Sequence, residues 1–511
     1  MSKKLLKSTA MVGGLTLISR ILGFTRDVVI AHIFGASTST DAFLIAFKIP
    51  NFMRRLFAEG AFSQAFTPVL SEYQTKCNKN EIKHLVDHVA GNLGGILFWI
   101  TIIGVVIAPL LVMIFAPGFI QYPEKFNLAV EMLRITFPYL FFIALTAFAG
   151  AILNTYGQFA IPAFTPVLLN LCLISSALWF TVYFDQPIIA LAYGVLVAGV
   201  VQLTFQLPFL YRLKLLPRPR FNRHDKGVKH IHRLMIPALF GVSVSQINLL
   251  MDTLMASFLV TGSVSWLYYS DRLMEFPVGV FGLALATVML PNLSRAIARD
   301  DIDNYNCTLD WSLRWVFLIA TPAMCGLIIL AGPILTTLFY GGEFTANDII
   351  KTSYSLMTYA IGLLGFILIK VLASGFYSRQ DTRTPVKIAV IAMVTNIVLN
   401  LTLVWHLEHA GLALATSLAA LLNALLLYRS LRKLSLFQPQ TGWKLLLLRI
   451  LAANIFMIGL LWSANEPILT WFNMSVLERV TNLFGLIIIG GLVYVASLFV
   501  FGLRLKHISL N

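Results

Sequence analysis

The segment YRLKLLPRPRFNRHDKGVKHIHR, residues 211–233, is the longest and most basic connection in the chain. About six apolar runs of roughly 20 residues precede this segment, and about eight follow it. Runs of this length can cross a bilayer as helices. The segment therefore predicts a polytopic helical membrane protein whose first twelve spans divide into six and six.

The overall composition supports this class of protein. The 511 residues are 58% hydrophobic and 12% charged, and the mean hydropathy is +0.81. Soluble globular chains are about 45–50% apolar and about 25% charged, so a soluble multidomain protein is a poor alternative. The net charge of +15 is concentrated in short loops, which favours the positive-inside rule over nucleic-acid binding.

About fourteen membrane spans are predicted from the apolar runs. They cover residues 9–34, 40–70, 85–116, 129–154, 160–183, 187–211, 231–260, 264–297, 308–340, 350–377, 385–405, 410–431, 443–464 and 480–504. An even number places both termini on one side. Loops on that side hold about 25 Lys and Arg and the opposite loops about three, so both termini are expected in the cytoplasm.

The two groups of six spans resemble each other at a constant shift. The matching pairs, each 223 residues apart, are FTPVLSEY (66–73) with MLPNLSRA (289–296), NTYGQFAIP (154–162) with YSRQDTRTP (377–385), and IIALA (188–192) with GLALA (411–415). Six spans per repeat is an even number, so we expect two lobes related by a pseudo-twofold axis along the membrane normal. The predicted segments are an N-terminal lobe at 1–212, a basic linker at 213–230, a second lobe at 231–433, and two extra helices at 434–511.

The first two spans carry charges where lipid is expected. They are Arg20, Arg26, Asp27, Asp41, Lys48, Arg54, Arg55 and Glu59. At about 2.5–3.5 kcal/mol each, eight such charges facing lipid would cost roughly 20–28 kcal/mol, which exceeds the stability of a typical domain, about 5–15 kcal/mol. Most of them must therefore pair or face water.

Helical spacing suggests which charges share a face. Two pairs are seven residues apart, Arg20 with Asp27 and Asp41 with Lys48. Two pairs are four residues apart, Arg55 with Glu59 and Asp271 with Glu275. Arg272 and Glu275 are three residues apart. One interpretation is that these are structural ion pairs between helices. The other is that the arginines line a hydrated cavity for an anionic headgroup, because guanidinium forks bind diphosphate oxygens bidentately.

A second group of polar residues lies in later spans. Asp252, Asn396, Asn400 and Thr416 carry oxygen atoms that could converge on a monovalent cation. Ordinary hydrogen bonds between helices are the favoured explanation of the same residues. Four cysteines without paired spacing predict neither a disulfide framework nor a metal site, and no GxxxxGK[ST] motif for ATP is present.

Four long motifs resemble those of the MurJ/MviN family, the bacterial lipid II flippases of the multidrug/oligosaccharidyl-lipid/polysaccharide exporter superfamily. The motifs are SRILGFTRDVVIAHIFGAS (19–37), TDAFLIAFKIPNFMRRLFAEGAFSQAF (40–66), YYSDRLMEFPVGVFG (268–282) and GFYSRQDTRTPVKIA (375–389). The resemblance extends from about residue 5 to the C-terminus. The family's important charged positions match Arg20, Arg26, Asp41, Arg54 and Arg272.

The resemblance implies a fourteen-helix protein of the bacterial inner membrane. Two six-helix lobes would form a V around a cationic cavity, and the last two helices would form a groove for the polyprenyl tail. The implied function is the outward movement of undecaprenyl-diphosphate-linked disaccharide-pentapeptide, lipid II, for peptidoglycan synthesis. Cell shape and cell-wall biogenesis would depend on this transport.

From the residues and the resemblance together we expect a transporter that works by alternating access and is not an enzyme. The expected substrate-binding residues are Arg20, Arg26, Asp27, Asp41, Arg54, Arg272 and Glu275. No cofactor and no metal are expected, and sodium, a proton or the membrane potential would drive the cycle. The expected partners are lipid II, membrane lipids and the cell-wall synthesis and division machinery, with the chain itself a monomer.

Three other functions fit the composition less well. A cation-coupled drug or solute antiporter of the same superfamily would need acidic residues rather than arginines in its cavity. A polyprenyl-sugar polymerase would need catalytic carboxylates or a large outer domain, whereas the outer loops are short. A non-transporting scaffold of the cell-wall machinery would tolerate neutralisation of the cavity charges.

Overall fold

The computed structural model describes residues 3–56, 62–222 and 225–504, with side chains described throughout except at 3–10, 237–249 and 283–284. The described residues form helices joined by short turns, together with one isolated β-bridge between Gly341 and Phe344. The predicted all-α polytopic class is confirmed. Within the described ranges, ten helical stretches are long and apolar enough to span a membrane, and the number fourteen stays a prediction.

The chain divides into two compact units, Met1–Gly262 and Ser263–Asn511. The helices of the first unit are α1 (Lys3–Phe34), α2 (Thr38–Met53), α3 (Ser63–Lys76), α4 (Lys79–Val106), α5 (Ala108–Phe115), α6 (Pro123–Thr136), α7 (Tyr139–Thr155), α8 (Ala160–Ser175), α9 (Ile189–Arg212) and α10 (Lys226–Ala256). The helices of the second unit are α11 (Ser263–Pro277), α12 (Leu283–Ala298), α13 (Ile302–Ile329), α14 (Ala331–Phe339), α15 (Ala346–Ile361), α16 (Leu363–Tyr377), α17 (Arg383–Lys433), α18 (Trp443–Ala464), α19 (Ile468–Asn473) and α20 (Val476–Val500).

Several predicted spans are interrupted helices. The run at 85–116 is α4 followed by α5, with a break at Ile107, whose ψ is 15°. The runs at 385–405 and 410–431 are the two parts of α17, which is broken at Glu408 by the non-helical angles φ 50° and ψ −132°. Hydropathy identifies the apolar runs, but it carries no information about such local breaks.

The helix α10 packs against α3, α4 and α5 and therefore belongs to the first unit. On the sequence, residues 231–260 open the second group of six spans. The sequence divides the chain into four segments, 1–212, 213–230, 231–433 and 434–511. This division stays a prediction.

The shift of 223 residues recurs in the local structure of the two units. The equivalent features are the side-chain N-caps Asn78 and Asp301, the helix breaks at Ile107 and Leu330, and the positive φ angles of Gly157 (77°) and Gln380 (61°). The members of each pair are 223 residues apart along the chain, as are the matching sequence motifs. The internal repeat is therefore a repeat of caps, breaks and turns as well as of apolar runs.

An aspartate on α4 fixes the basic connection that follows α9. The Asp87 carboxylate accepts a hydrogen bond from the backbone N–H of Arg218 at 2.7 Å, and its carbonyl accepts one from the N–H of Arg220 at 3.1 Å. One helical turn further on, the Asn92 side chain donates to the carbonyl of Asn222 at 2.9 Å. Residues 218–222 therefore lie along α4 as a strap that hydrogen bonds hold in place, with Arg218, Arg220 and Phe221 exposed to solvent.

The second unit has an aspartate at the equivalent position, 223 residues later. The Asp310 carboxylate accepts from the backbone N–H of Gln440 at 3.0 Å and from the indole N–H of Trp443 at 2.7 Å. The Arg314 side chain donates to the other carboxylate oxygen at 2.6 Å. The connection after each group of six spans is thus held by a buried carboxylate at the same position of the repeat.

Replacing Asp87 by alanine is expected to release the strap. The change leaves the N–H of Arg218 without its acceptor, a loss of about 1–3 kcal/mol. Trypsin should then cleave after Arg220 about tenfold faster or more. Limited proteolysis with mass spectrometry measures this rate, and Asp303→Ala, at an exposed position on α13, is the matched control. Equal cleavage rates for Asp87→Ala and the wild type would show that the Asp87 carboxylate does not hold the strap.

Candidate functional site

In the first unit a buried guanidinium group is held between α1 and α8. Arg26 and Asp27 are 5% and 2% exposed. The Arg26 Nε and Nη2 atoms donate to Asp27 Oδ1 at 3.0 and 2.6 Å, and Nη1 donates to Asn170 Oδ1 at 3.1 Å. Arg26 is therefore paired and fixed in direction, as the cost of burying a charge in a membrane span requires.

The close approach of α1 and α8 positions this guanidinium. At Gly23 an added Cβ would lie 3.5 Å from the Asn170 amide nitrogen, so the side chain of Asn170 lies against the backbone of α1. The same amide donates to the carbonyl of Ser19 at 3.1 Å. Asn170 thus binds the backbone of α1 through its nitrogen and presents its oxygen to Arg26.

Arg20 is placed differently from Arg26. Its side chain is exposed, and among the described residues it forms no ion pair. The spacing of seven residues suggested that Arg20 shares a face with Asp27, but the carboxylate of Asp27 pairs with its neighbour Arg26 instead. The first span therefore holds one neutralised guanidinium and one exposed guanidinium.

Asp41 on α2 is fully buried, with 0% exposure. Its Oδ2 atom accepts from Lys125 Nζ at 2.7 Å and from the backbone N–H of Gly262 at 2.8 Å. The Lys125 ammonium also lies 4.3 Å from the centre of the Phe119 ring. Asp41 therefore joins α2 to the start of α6 and to the end of the first unit.

The spacing of Asp41 and Lys48 suggested a common face for these two residues. In the structure Lys125 pairs with Asp41, whereas the Lys48 ammonium donates to the hydroxyl of Thr253 on α10.

Arg54 follows directly after the end of α2, in a single π-helical turn. Its Nε atom donates to Asn51 Oδ1 at 3.2 Å, and the side chain is half-buried. The neighbouring Arg55 is exposed. Its predicted partner Glu59 lies outside the described residues.

The second unit presents Arg272 on α11. Its Nη1 atom is 3.2 Å from Glu275 Oε2, its Nη2 atom donates to the Tyr268 hydroxyl at 3.3 Å, and its guanidinium carbon is 5.1 Å from the centre of the Tyr268 ring. The predicted contact between Arg272 and Glu275 is thus present. Arg272 and Glu275 are 35% and 54% exposed at their side chains, so this pair is more open than Arg26 and Asp27.

The oxygen-bearing residues suggested for a monovalent cation fall in both units. Asn396 and Thr416 are within hydrogen-bond distance, with Thr416 Oγ1 3.5 Å from Asn396 Oδ1. Asn400 is buried one turn further along α17. Asp252 lies on α10 of the first unit and is half-buried. In the described part of the chain, no group of three or more His, Cys, Asp or Glu could hold a metal ion.

Sequence reasoning missed three polar residues that matter in this structure. Lys125 and Asn170 are the partners of Asp41 and Arg26, and nothing in the local sequence indicates these pairings. Lys370 had a clear signal, because it is a single cation inside the apolar run GFILIKVL of α16. Its aliphatic stem lies against Gly282, where an added Cβ would be 3.2 Å from the Lys370 Cδ atom.

Over nearly its full length the chain is similar to the proteins of one family. The profile of the family described as "Lipid II flippase MurJ" matches residues 30–482. A "Probable lipid II flippase MurJ" of Vibrio cholerae is 49% identical over 99% of this chain and 98% of its own length. A "Lipid II flippase MurJ" of Burkholderia cenocepacia is 42% identical over 98% of both chains.

Solved structures agree with these sequence similarities. A structure of "Lipid II flippase MurJ, inward closed conformation" matches with a TM-score of 0.81 and 29% identity, covering 96% of this chain and 98% of that one. An inward-facing multidrug resistance transporter of the MATE family, within the MOP superfamily, matches with a TM-score of 0.67 and 14% identity over 84% of this chain and 98% of that one. This second similarity concerns the fold alone.

Proposed function

The chain belongs to the MurJ family of lipid II flippases, and on that basis we propose that it moves lipid II from the inner to the outer leaflet of the bacterial inner membrane by alternating access. It is a multi-pass membrane transporter of lipid II and not an enzyme, and lipid II serves peptidoglycan synthesis. In the proposal both termini lie in the cytoplasm and the chain acts as a monomer beside the cell-wall synthesis and division machinery.

The observation that carries the mechanism is the pairing of each central guanidinium with a carboxylate of its own helix. Arg26 pairs with Asp27 on α1, and Arg272 pairs with Glu275 on α11. An uncompensated charge in a low-dielectric site costs several kcal/mol. Asp27 offsets this cost at the buried Arg26, whereas water screens the more exposed pair of Arg272 and Glu275.

In our proposal the diphosphate of lipid II exchanges with these carboxylates. Arginine forks bind phosphate oxygens through parallel, charge-assisted hydrogen bonds, so the diphosphate can replace Asp27 and Glu275 as the partner of Arg26 and Arg272. Exposed Arg20 supplies a further cation for the headgroup. The empty carrier then returns with its arginines neutralised again.

Arg54 and Asp41 have supporting roles in this proposal. Arg54 is half-buried directly after α2, the helix that carries Asp41, and it adds a further cation for the headgroup. Asp41 acts through Lys125, because its carboxylate is fully buried in that ion pair. We therefore assign Asp41 to the positioning of α2 and α6 rather than to direct contact with the diphosphate.

We propose that the polyprenyl tail stays in lipid along α18 and α20 while the headgroup crosses. These two long helices pack on each other, and together with Leu318 and Leu330 they form one apolar cluster. Their outer faces expose large apolar side chains such as Leu448, 63% exposed, and Leu492, 64% exposed. Hydrocarbon chains are the natural neighbours of such faces in a bilayer.

The membrane potential is our first candidate for the driving force. An inside-negative potential favours outward movement of anions by about 2.3 kcal/mol per charge per 100 mV. A monovalent cation, sodium or a proton, is the second candidate, and it would bind among Asn396, Asn400, Thr416 and Asp252. The contact between Asn396 and Thr416 is compatible with either a cation site or an ordinary hydrogen bond.

Flipping of fluorescent lipid II in proteoliposomes tests this function. We expect purified protein to expose inner-leaflet lipid II to an external reagent, and to do so faster under an inside-negative potential than under the reverse potential. Arg272→Ala should abolish the activity, whereas Arg295→Ala, at an exposed position of α12, should leave it intact. If liposomes with and without protein expose lipid II equally, the chain is a scaffold rather than a flippase.

A further inference from the structure

The two long C-terminal helices, α18 and α20, are attached to α13 and α14 of the second unit at three places. The first attachment is at the start of α18, where the Trp443 indole N–H donates to the Asp310 carboxylate at 2.7 Å. Asp310 lies on α13 and is 0% exposed. One turn further along α13, Arg314 donates to the carbonyl of Thr441 at 2.9 Å, and its guanidinium carbon is 5.6 Å from the centre of the Trp443 ring. Two side chains of α13 therefore hold the start of α18.

The second attachment lies midway along α18, inside an apolar cluster. The Asn454 amide donates to the Thr321 hydroxyl at 3.3 Å, and the buried Tyr494 hydroxyl of α20 donates to the carbonyl of Leu318 at 2.9 Å. Both partners lie on α13, and Leu318 packs in the apolar cluster formed with α18 and α20. A hydrogen bond in such a low-dielectric layer is stronger than in water. These two contacts therefore fix α18 and α20 on α13.

The third attachment is at the opposite end of the two helices, where α20 begins. Arg479 is 7% exposed and donates to the carbonyls of Trp471 and Phe472 at 3.0 and 2.9 Å. These carbonyls belong to the last turn of the short helix α19, where a cation is favourable. The guanidinium carbon is 4.8 Å from the centre of the ring of Tyr340, which directly follows α14. Arg479 therefore joins α20 to α19 and α14.

Packed helices of the same unit connect these attachments to Arg272. Trp266 lies on α11 with Arg272, and its indole N–H donates to the buried Asp348 of α15 at 2.9 Å. The helix α15 packs against α13, which packs against α18. Because close-packed interiors resist deformation, we expect Arg272 to move together with α18 and α20.

We propose that Trp443, Tyr494 and Arg479 are positioning residues for transport, which hold the tail-binding helices at a fixed separation from Arg272. The inference rests on the proposed function, in which Arg272 binds the diphosphate and the polyprenyl chain lies along α18 and α20. Neighbouring helices pack about 8–10 Å apart, and α15 and α13 connect α11 to α18. A polyprenyl chain too short to cover this separation gains no contact with α18 and α20. The second unit therefore selects long polyprenyl chains.

Flipping of two substrates by the full chain in proteoliposomes tests this selection. The substrates are fluorescent lipid II with its undecaprenyl chain and the same headgroup on a geranylgeranyl chain, and we expect the wild type to flip the first faster. The variant Trp443→Phe/Tyr494→Phe removes two donors and keeps both rings. It should lower the ratio of the two rates about fivefold or more, because each neutral hydrogen bond contributes about that factor to an equilibrium. Trp405→Phe/Tyr354→Phe, at positions 79% and 52% exposed in the same unit, is the matched control.

The ratio of the two rates separates positioning from stability, since a loss of folded protein lowers both rates equally. Arg479→Met removes the third attachment and should lower the ratio as well, whereas Lys444→Met, at an exposed position of α18, should not. A wild-type ratio in Arg479→Met and in Trp443→Phe/Tyr494→Phe would overturn the proposal, and so would equal rates for both substrates in the wild type. If the wild type flips neither substrate, the transport proposal itself fails.

A cross-link tests the attachment without reference to chain length. The variant Thr321→Cys/Asn454→Cys, in a chain whose four native cysteines are replaced by alanine, places two thiols where side chains are already in contact. A short bifunctional thiosulfonate then joins α13 to α18. We expect lipid II flipping to continue at the rate of the same protein before cross-linking, because the two helices need not move against each other. Loss of flipping that reduction of the bridge restores would show that they do move, and would overturn the proposal.

Discussion

Arg26→Ala is expected to reduce lipid II flipping by at least about a hundredfold. Hydrogen bonds to charged groups contribute about 1.5–3 kcal/mol each, and the guanidinium of Arg26 would give two of them to the diphosphate. Arg26→Lys should also be strongly impaired, because an ammonium keeps the charge but loses the planar fork. Initial rates of lipid II exposure in proteoliposomes measure both effects.

The loss of Arg26 also leaves Asp27 buried without its partner, so activity has to be separated from folding. The double variant Arg26→Ala/Asp27→Asn removes both charges and should be monodisperse in detergent, with a thermal midpoint closer to the wild type than that of Arg26→Ala. It should remain inactive. Arg134→Ala, at an exposed position of α6, is the control for removal of an arginine from the first unit. Wild-type flipping by the double variant would disprove the assignment of Arg26 to the diphosphate.

Lys125→Met is expected to destabilise the first unit strongly. Removing one partner of a buried ion pair costs about 3–5 kcal/mol, whereas replacing both partners by uncharged side chains is often neutral. The double variant Asp41→Asn/Lys125→Met should therefore recover most of the lost stability. Thermal unfolding in detergent, followed by intrinsic fluorescence, measures each midpoint.

The double variant of Asp41 and Lys125 also tests whether Asp41 positions helices or contacts the substrate. If Asp41 acts by holding α2 to α6, the double variant should recover flipping together with its stability. A stable double variant that cannot flip lipid II would instead place Asp41 in contact with the substrate. Arg134→Met, at an exposed position of the same helix as Lys125, is the control and should have the smaller effect on the thermal midpoint.

The sequence was sufficient for the class of fold and for the repeat, because apolar runs and the 223-residue shift are local properties of the chain. The matching N-caps at Asn78 and Asp301 illustrate this, since each capping signal lies within a few residues of the helix that it begins. The breaks at Ile107 and Leu330 are each followed within three residues by a proline, Pro109 and Pro333, which is a local signal that hydropathy does not record. Both lie inside continuous apolar runs, where hydropathy is the same on either side.

The partners of the site residues were less predictable. Spacing along one helix correctly indicated the contact of Arg272 with Glu275. It did not indicate that Lys125, 84 residues from Asp41, would pair with that residue. It also did not indicate Asn170, 144 residues from Arg26. Such pairings depend on which helices pack together, and periodicity within one helix contains no information about its neighbours.

Competition by substrate fragments tests most directly whether arginines bind the diphosphate of lipid II. The measurement is the flipping rate of fluorescent lipid II in proteoliposomes with added undecaprenyl diphosphate, undecaprenyl monophosphate or undecaprenol. We predict strong inhibition by the diphosphate, weaker inhibition by the monophosphate and none by the alcohol. Equal inhibition by undecaprenol and undecaprenyl diphosphate would show that the polyprenyl chain alone is recognised and would contradict the role given to Arg26 and Arg272.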